Sequence, residues 1–217
     1  MGEDTHDDRS EPSEVTTPHG PARVRVIPAK PARGVLMLGH GAGGGTNAPD
    51  LRAATAAAHG AGLSVALVDQ PYRVAGRRAP SPARQLDAAW VAVAAELADG
   101  DLAGLPLVVG GRSSGARVAC RTARDLGAVG VLCLAFPLRP PGRTGRPDRQ
   151  PELDGVAVPT LVVQGERDAF GTPPASPSRS VVVVPGDHSL KKEPGTIREA
   201  VENWLRALLD GRGAASS

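Results

Sequence analysis

The stretch Leu105-Pro106-Leu107-Val108-Val109-Gly110-Gly111-Arg112-Ser113-Ser114-Gly115 decides how the rest of the chain is read. An apolar run over 105 to 110 leads straight into Gly-x-Ser-x-Gly, and a helical pattern follows over 114 to 126. In a strand, turn, helix setting such a motif is an elbow: a sharp turn holds the serine in a strained backbone conformation at the strand's C-terminal end. Glycine two residues before and two after lets strand and helix approach without Cβ clashes. The bare pattern is weak in a chain with 27 glycines, so its placement does the discriminating against an ordinary Gly-Ser turn. Ser113 is the candidate nucleophile.

Outward from this elbow, short apolar runs alternate with amphipathic or Ala-rich stretches, the pattern of a parallel sheet covered by helices on both faces. Strands are expected at 23 to 27, 34 to 39, 63 to 69, 105 to 110, 129 to 135, 159 to 164 and 179 to 184. The first alternates Arg23, Val24, Arg25 and Val26, which predicts an edge strand with one wet face. Helices are expected at 49 to 60, 82 to 98, 114 to 126 and from Pro194 to Asp210. In the last, Ile197, Ala200, Val201, Trp204, Leu205 and Leu208 recur at helical spacing. The fold class is α/β, with a mostly parallel central sheet of about seven strands. The segment 137 to 158, rich in Pro, Gly and Arg (Arg139, Arg143, Arg146, Arg149), reads as a surface loop too short to hold a cap domain.

Length and composition bound the rest. The 217 residues suit one domain, and the 27 glycines and 21 prolines stay short of the roughly 25–30% that marks a low-complexity chain. Residues 1–20, with six acids against Arg9 and almost nothing apolar, read as a disordered acidic tail, and 211–217 as a second tail around a domain at 21–210. With Phe136, Phe170, Tyr72, Trp90 and Trp204 as the only aromatics, base stacking on an aromatic platform is excluded, and no nucleic-acid partner is expected. No apolar run approaches the roughly 20 residues of a membrane span, and Glu3, Asp4, Asp7 and Asp8 stand where a signal peptide needs basic residues. The expectation is a cytoplasmic protein with no membrane partner. Cys120 and Cys133 sit in apolar segments without metal-site spacing and read as buried thiols.

A serine nucleophile needs a base, and the base an orienting acid. Of five histidines, His6 and His19 lie in the tail and His59 ends a helix, which leaves His40 and His188. His188 follows the strand 179 to 184, and Asp168 follows 159 to 164, both at the sheet edge that carries Ser113. The chain order Ser, Asp, His is that of one known triad arrangement. Glu166 is the nearest competitor for Asp168, and Asp187, adjacent to His188, is a weaker rival.

Donors for a developing oxyanion are usually backbone N–H groups. One is expected from Ser114, the other from Ala42 in the loop His40-Gly41-Ala42-Gly43-Gly44-Gly45. His40 suits bracing of this loop better than base catalysis. Gly39 to Gly44 also satisfies Gly-x-Gly-x-x-Gly after a strand, with Asp69 placed to meet a ribose, so a nucleotide site is a rival reading. Against it, Thr46 to Pro49 separate the glycines from the next helix, whereas a pyrophosphate loop opens directly into one.

With these residues assembled, residues 22 to 210 resemble the α/β-hydrolase superfamily, and more narrowly its small lidless group that includes testis-expressed protein 30 and dienelactone-hydrolase-like bacterial proteins. The likeness rests on His40 to Gly44, Gly110 to Ala119, Gln164 to Gly171, Gly186 to Leu190, and the loop Phe136 to Gly142. It implies an eight-stranded hydrolase sheet trimmed at its N-terminus, no cap domain, and a Ser113, Asp168, His188 triad. Ser114 stands where the group commonly has Met, and Arg139 where it has His. The function so implied is a serine hydrolase, of carboxylesterase or dienelactone-hydrolase-like type, acting on a small ester or related acyl bond through an acyl-enzyme, with no cofactor or metal. His40, Gly43, Tyr72, Arg112 and Arg139 are candidate substrate contacts. The arginines, Arg167 among them, either favour acidic substrates or brace loops by pairing with carboxylates. Because the group includes eukaryotic subunits of chromatin complexes, a catalytically silent binding or scaffold protein is the competing class.

Overall fold

A computed structural model describes residues 11–100, 102–142 and 148–214. Four apolar runs form its centre: β3 (Gly34–Gly39), β5 (Leu107–Arg112), β6 (Gly130–Leu134) and β7 (Thr160–Gly165). Side chains alternate between faces, so Leu36 and Leu38 of β3 join one core while Met37 joins the other, and Leu132 and Leu134 part from Val131 and Cys133 in the same way. Both faces are apolar, so both need cover. With β1 (Ser13–Val15), β2 (Ala22–Ile27), β4 (Leu63–Asp69) and β8 (Arg179–Val184), the sheet runs β1-β2-β4-β3-β5-β6-β7-β8. Only β2 is antiparallel to its neighbours, β1 and β4.

Helices α1 (Pro49–Gly60) and α6 (Pro194–Ala214) cover one face; α3 (Ala83–Asp99) and α4 (Ser114–Thr122) cover the other. α1 presents Ala54, Ala57 and Ala58, whose small side chains let it lie close against α6, where Ile197, Val201 and Leu205 are fully buried at i, i+4 spacing. Opposite them Trp90 and Val93 of α3 meet Ala116 and Ala119 of α4. Each fully buried Leu, Ile or Val contributes on the order of 1.5–3 kcal/mol, enough to hold the strand ends that carry the site.

The structure corrects six expectations. Ser13–Val15 pairs with β2 in antiparallel register, so the expected tail is structured at its end, and β2 is not the edge strand its alternation suggested. Residues 1–10 lie outside the described residues. The last helix continues to Ala214, past the expected boundary at 210. The expected surface loop 137 to 158 contains α5 (Gln150–Asp154) and buries Leu138, Leu153 and Val156, because apolar residues spaced through it dock onto the core of α4. Arg143 and Arg146 lie outside the described residues. Finally, a short α2 (Pro71–Val74) follows β4, and β5 runs two residues further, to Arg112.

Candidate active site

The parallel strands β3 to β8 deliver the segments that follow them to one edge of the sheet, and strain concentrates there. Among the described residues, the positive-φ positions other than glycine are Ser113 after β5, Ala135 after β6 and Leu190 after β8. Ser113, at φ 51° and ψ −104°, occupies conformational space that an L-residue enters only when its surroundings compel it. Those surroundings are the Ser113 N–H donating to Leu134 O (2.9 Å) on one side and α4 beginning at the next residue on the other. The flanking glycines are sterically required: a Cβ on Gly115 would collide with the Gly39 carbonyl, and one on Gly111 with Gly39 and Gly115.

Ser113 Oγ lies 3.0 Å from His188 Nε2, and His188 Nδ1 lies 2.8 Å from Asp168 Oδ2. An ionised carboxylate only accepts, so Nδ1 carries the proton and the Nε2 lone pair faces the serine hydroxyl. Asp168 has no exposed side-chain surface. Its Oδ2 also accepts from Gln164 Nε2 (2.7 Å), and its Oδ1 accepts from the Phe170 N–H (2.9 Å). Gln164, fully buried on β7, reaches Phe136 O and Gly171 O with the same amide, tying the acid to two loops. The Phe170 ring covers His188, with centroids 4.3 Å apart. Neither Gln164 nor Phe170 had been singled out for the site, although both stand in the same run as Asp168. The rivals fall elsewhere: Glu166 is exposed, and Asp187 folds back on Ser189, whose N–H (2.9 Å) and hydroxyl (2.6 Å) hold its carboxyl below the usual range.

Ser114 is the first residue of α4, where no helical carbonyl reaches the N–H. Across from it, Tyr72 Oη donates to Ala42 O (3.0 Å) and fixes the peptide after Ala42. Gly43 is exposed with open space about its Cα. His40 is braced at both nitrogens: Nε2 accepts from the Gln70 N–H (3.1 Å), which leaves Nδ1–H to donate to Gly41 O (2.8 Å). Burial pushes the His40 pKa below its usual 6.5, against the pull of the Gly41 carbonyl, and burial pushes the Tyr72 phenol up to about 12. Both residues are 3% exposed, and their hydrogen bonds brace the loop. With Gly39, Gln70, Trp90 and Ser114, they line a cavity with room for about one water.

Arg139 points to Asp148 (2.9 Å) with its side chain 72% exposed, and Arg167 is exposed. Arg112 does not face outward: its Nε lies 3.0 Å from the fully buried Asp50 Oδ2, the carboxylate pairing expected of a loop brace. Burial raises the Asp50 pKa, and the Arg112 charge opposes that rise. Asp50 also occupies the start of α1, where its Oδ1 accepts from the Leu51 N–H (3.0 Å). With the Asp50 carboxylate seated there, the start of α1 is already occupied, which weighs against the nucleotide reading. Among the described residues no cluster of His, Cys, Asp or Glu could hold a metal ion, and no helix is long and apolar enough to cross a membrane.

A family model described as an alpha/beta hydrolase domain matches residues 32–210. The fold is similar to a serine hydrolase without a lid from Xanthomonas campestris (22% identity, TM-score 0.72, 91% of this chain and 95% of that one). It is also similar to an esterase from Pyrococcus furiosus (16%, TM-score 0.75, 96% and 95%) and a dienelactone hydrolase from Anabaena variabilis (20%, TM-score 0.66, 90% and 96%). No curated protein matches the chain in sequence.

Proposed function

We propose, for a chain that belongs to the alpha/beta hydrolase domain family and to its lidless group, that Ser113, His188 and Asp168 act as a triad cleaving a small ester or related acyl bond. The observation that carries this reading is the continuous chain from Ser113 Oγ through the imidazole to Asp168, at 3.0 and 2.8 Å, with the serine on a strained turn. Ser113 Oγ attacks the acyl carbonyl while His188 Nε2 takes its proton. The N–H groups of Ala42 and Ser114 receive the negative charge that develops on the carbonyl oxygen. Asp168 stabilises the imidazolium, which then protonates the departing alcohol. Water, deprotonated by the same imidazole, hydrolyses the acyl-enzyme and restores the serine.

The lidless mouth supports small or flexible substrates of the carboxylesterase or dienelactone-hydrolase type, and Gly43 on its exposed rim leaves room for them. The reaction so written needs no cofactor, and its partner is a small molecule rather than a nucleic acid or a membrane. The free, buried thiols of Cys120 and Cys133 support a cytoplasmic setting.

The test is labelling of wild type and Ser113→Ala with a fluorophosphonate, followed by hydrolysis of p-nitrophenyl esters of increasing acyl length. Labelling and turnover that vanish in the variant are expected. A folded wild type that neither labels nor turns over would overturn the reading in favour of a binding protein that keeps the fold.

A further inference from the structure

Asp50 has no place in the reaction just described, yet it is a carboxylate with no exposed side-chain surface. Such a group is costly to bury and stays ionised only beside a cation. That cation is Arg112, the residue before the nucleophile, with its side chain 18% exposed. The guanidinium does more than neutralise. Its Nη2 donates to the backbone carbonyl of His188 at 3.0 Å. Its Nη1 lies against the first turn of the loop after β3, where a Cβ on Gly41 would stand only 2.7 Å away. One planar, rigid group thus touches the loop that carries Ala42, the elbow that carries Ser113, and the loop that carries His188.

We propose that Asp50 and Arg112 form a clasp of positioning residues, setting the backbone of His188 and the loop at Gly41 relative to Ser113. The proposal rests on the hydrolase reading. Asp168 and Phe170 govern the imidazole side chain of His188; the clasp governs where its main chain stands. A planar guanidinium can do this because its donors diverge at fixed angles: the ion pair of Nε with Asp50 Oδ2, not aligned as a hydrogen bond, holds one edge while Nη2 donates to the His188 carbonyl. A lysine ammonium, a point charge, can satisfy Asp50 or the His188 carbonyl but cannot hold both in register. The clasp joins segments far apart in sequence, and displacing a reacting group by about 1 Å costs on the order of 100-fold in rate.

A buried ion pair is poor evidence for stability, since replacing both members with apolar residues of similar volume is often neutral. This separates positioning from folding. The experiment compares wild type, Arg112→Met, Arg112→Lys and the double variant Asp50→Leu/Arg112→Met. Its readouts are kcat and KM on a p-nitrophenyl ester, the concentration of labelled sites, thermal midpoint, and the downfield proton resonance of the His188 Nδ1–H. Arg112→Met is expected to lower kcat per labelled site by about 10- to 100-fold with KM within about threefold. Arg112→Lys should recover the thermal midpoint but not kcat. The double variant should melt close to wild type while staying as slow as Arg112→Met, with the His188 resonance broadened or lost.

A folded double variant with wild-type kcat and an unchanged resonance would overturn the clasp. So would a loss of activity in Arg112→Met fully accounted for by fewer labelled sites. Should wild type neither label nor turn over, the hydrolase reading fails by itself. The clasp is then judged on the resonance alone, which needs no substrate: loss in the double variant supports it and persistence overturns it.

Discussion

The loop after β7, Glu166 to Gly171, and the loop after β3, which runs from His40 into the first turn of α1 at Asp50, leave the same edge of the sheet, and each holds a completely buried carboxylate. They treat it differently. Asp168 is held by neutral donors, the Gln164 amide, the Phe170 N–H and the His188 imidazole, so its charge remains available to stabilise a developing imidazolium. Asp50 faces a guanidinium, and its charge is already matched by Arg112. The first loop is tight and closed by hydrogen bonds; the second has open space around Gly43 and Gly44 on its outer side. Identical chemical groups at one sheet edge thereby serve as an electrostatic partner in one loop and as an anchor in the other.

Substitutions in the two loops sharpen this contrast. Asp168→Asn should fold normally and lose about four orders of magnitude in kcat, as related triads do, because the amide favours the wrong imidazole tautomer. Steady-state kinetics beside a circular dichroism spectrum would check it, and a loss below tenfold would place the orienting acid elsewhere. Gln164→Leu removes the neutral bracket but leaves the carboxylate; about a 10- to 100-fold fall in kcat is expected, with KM little changed.

Gly115→Ala probes the contact between the start of α4 and the end of β3, since its Cβ would meet the Gly39 carbonyl. A destabilisation of about 1–3 kcal/mol in urea unfolding is the expected cost of that overpacking. The smallest effect concerns His40, whose folded-state pKa lies below its usual 6.5 through burial. The unfolded chain takes up a proton near 6.5 and the folded chain resists, so His40 contributes stability above that pH which is lost as the pH falls through the lowered value. Wild type should therefore lose stability more steeply than His40→Gln between pH 7 and 5, by at most about 1.4 kcal/mol per pH unit. Parallel unfolding curves at each pH would contradict it.

Much of this architecture was legible residue by residue. The apolar runs of β3 to β8 fall within two residues of expectation at each end; for β3 to β7 the reason is that a strand buried on both faces has to be apolar throughout. The strand, turn, helix context of Ser113 was equally local. β1 was not, since Ser13-Glu14-Val15 has no pattern of its own and becomes a strand only by pairing with β2. The partner of Arg112 was hidden for a related reason: Asp50 lies on α1 and Arg112 at the end of β5, and nothing near either residue specifies the other. His40 and Tyr72 stand in the loops expected to form the site, but their hydrogen bonds to Gln70 and Ala42 span 30 residues each and arise only in the fold.

The sequence by itself determined the α/β class, the positions of the buried strands along the chain, and the turn that carries Ser113, because hydrophobic period and glycine placement act over a few residues. Tertiary structure alone decided that Gln164 ties the acid to the Phe136 carbonyl, that Asp50 receives Arg112, and that the Gln70 N–H meets His40. Those outcomes depend on distances between segments remote in the chain. Such distances exist only once the buried sheet has brought the loops to one edge.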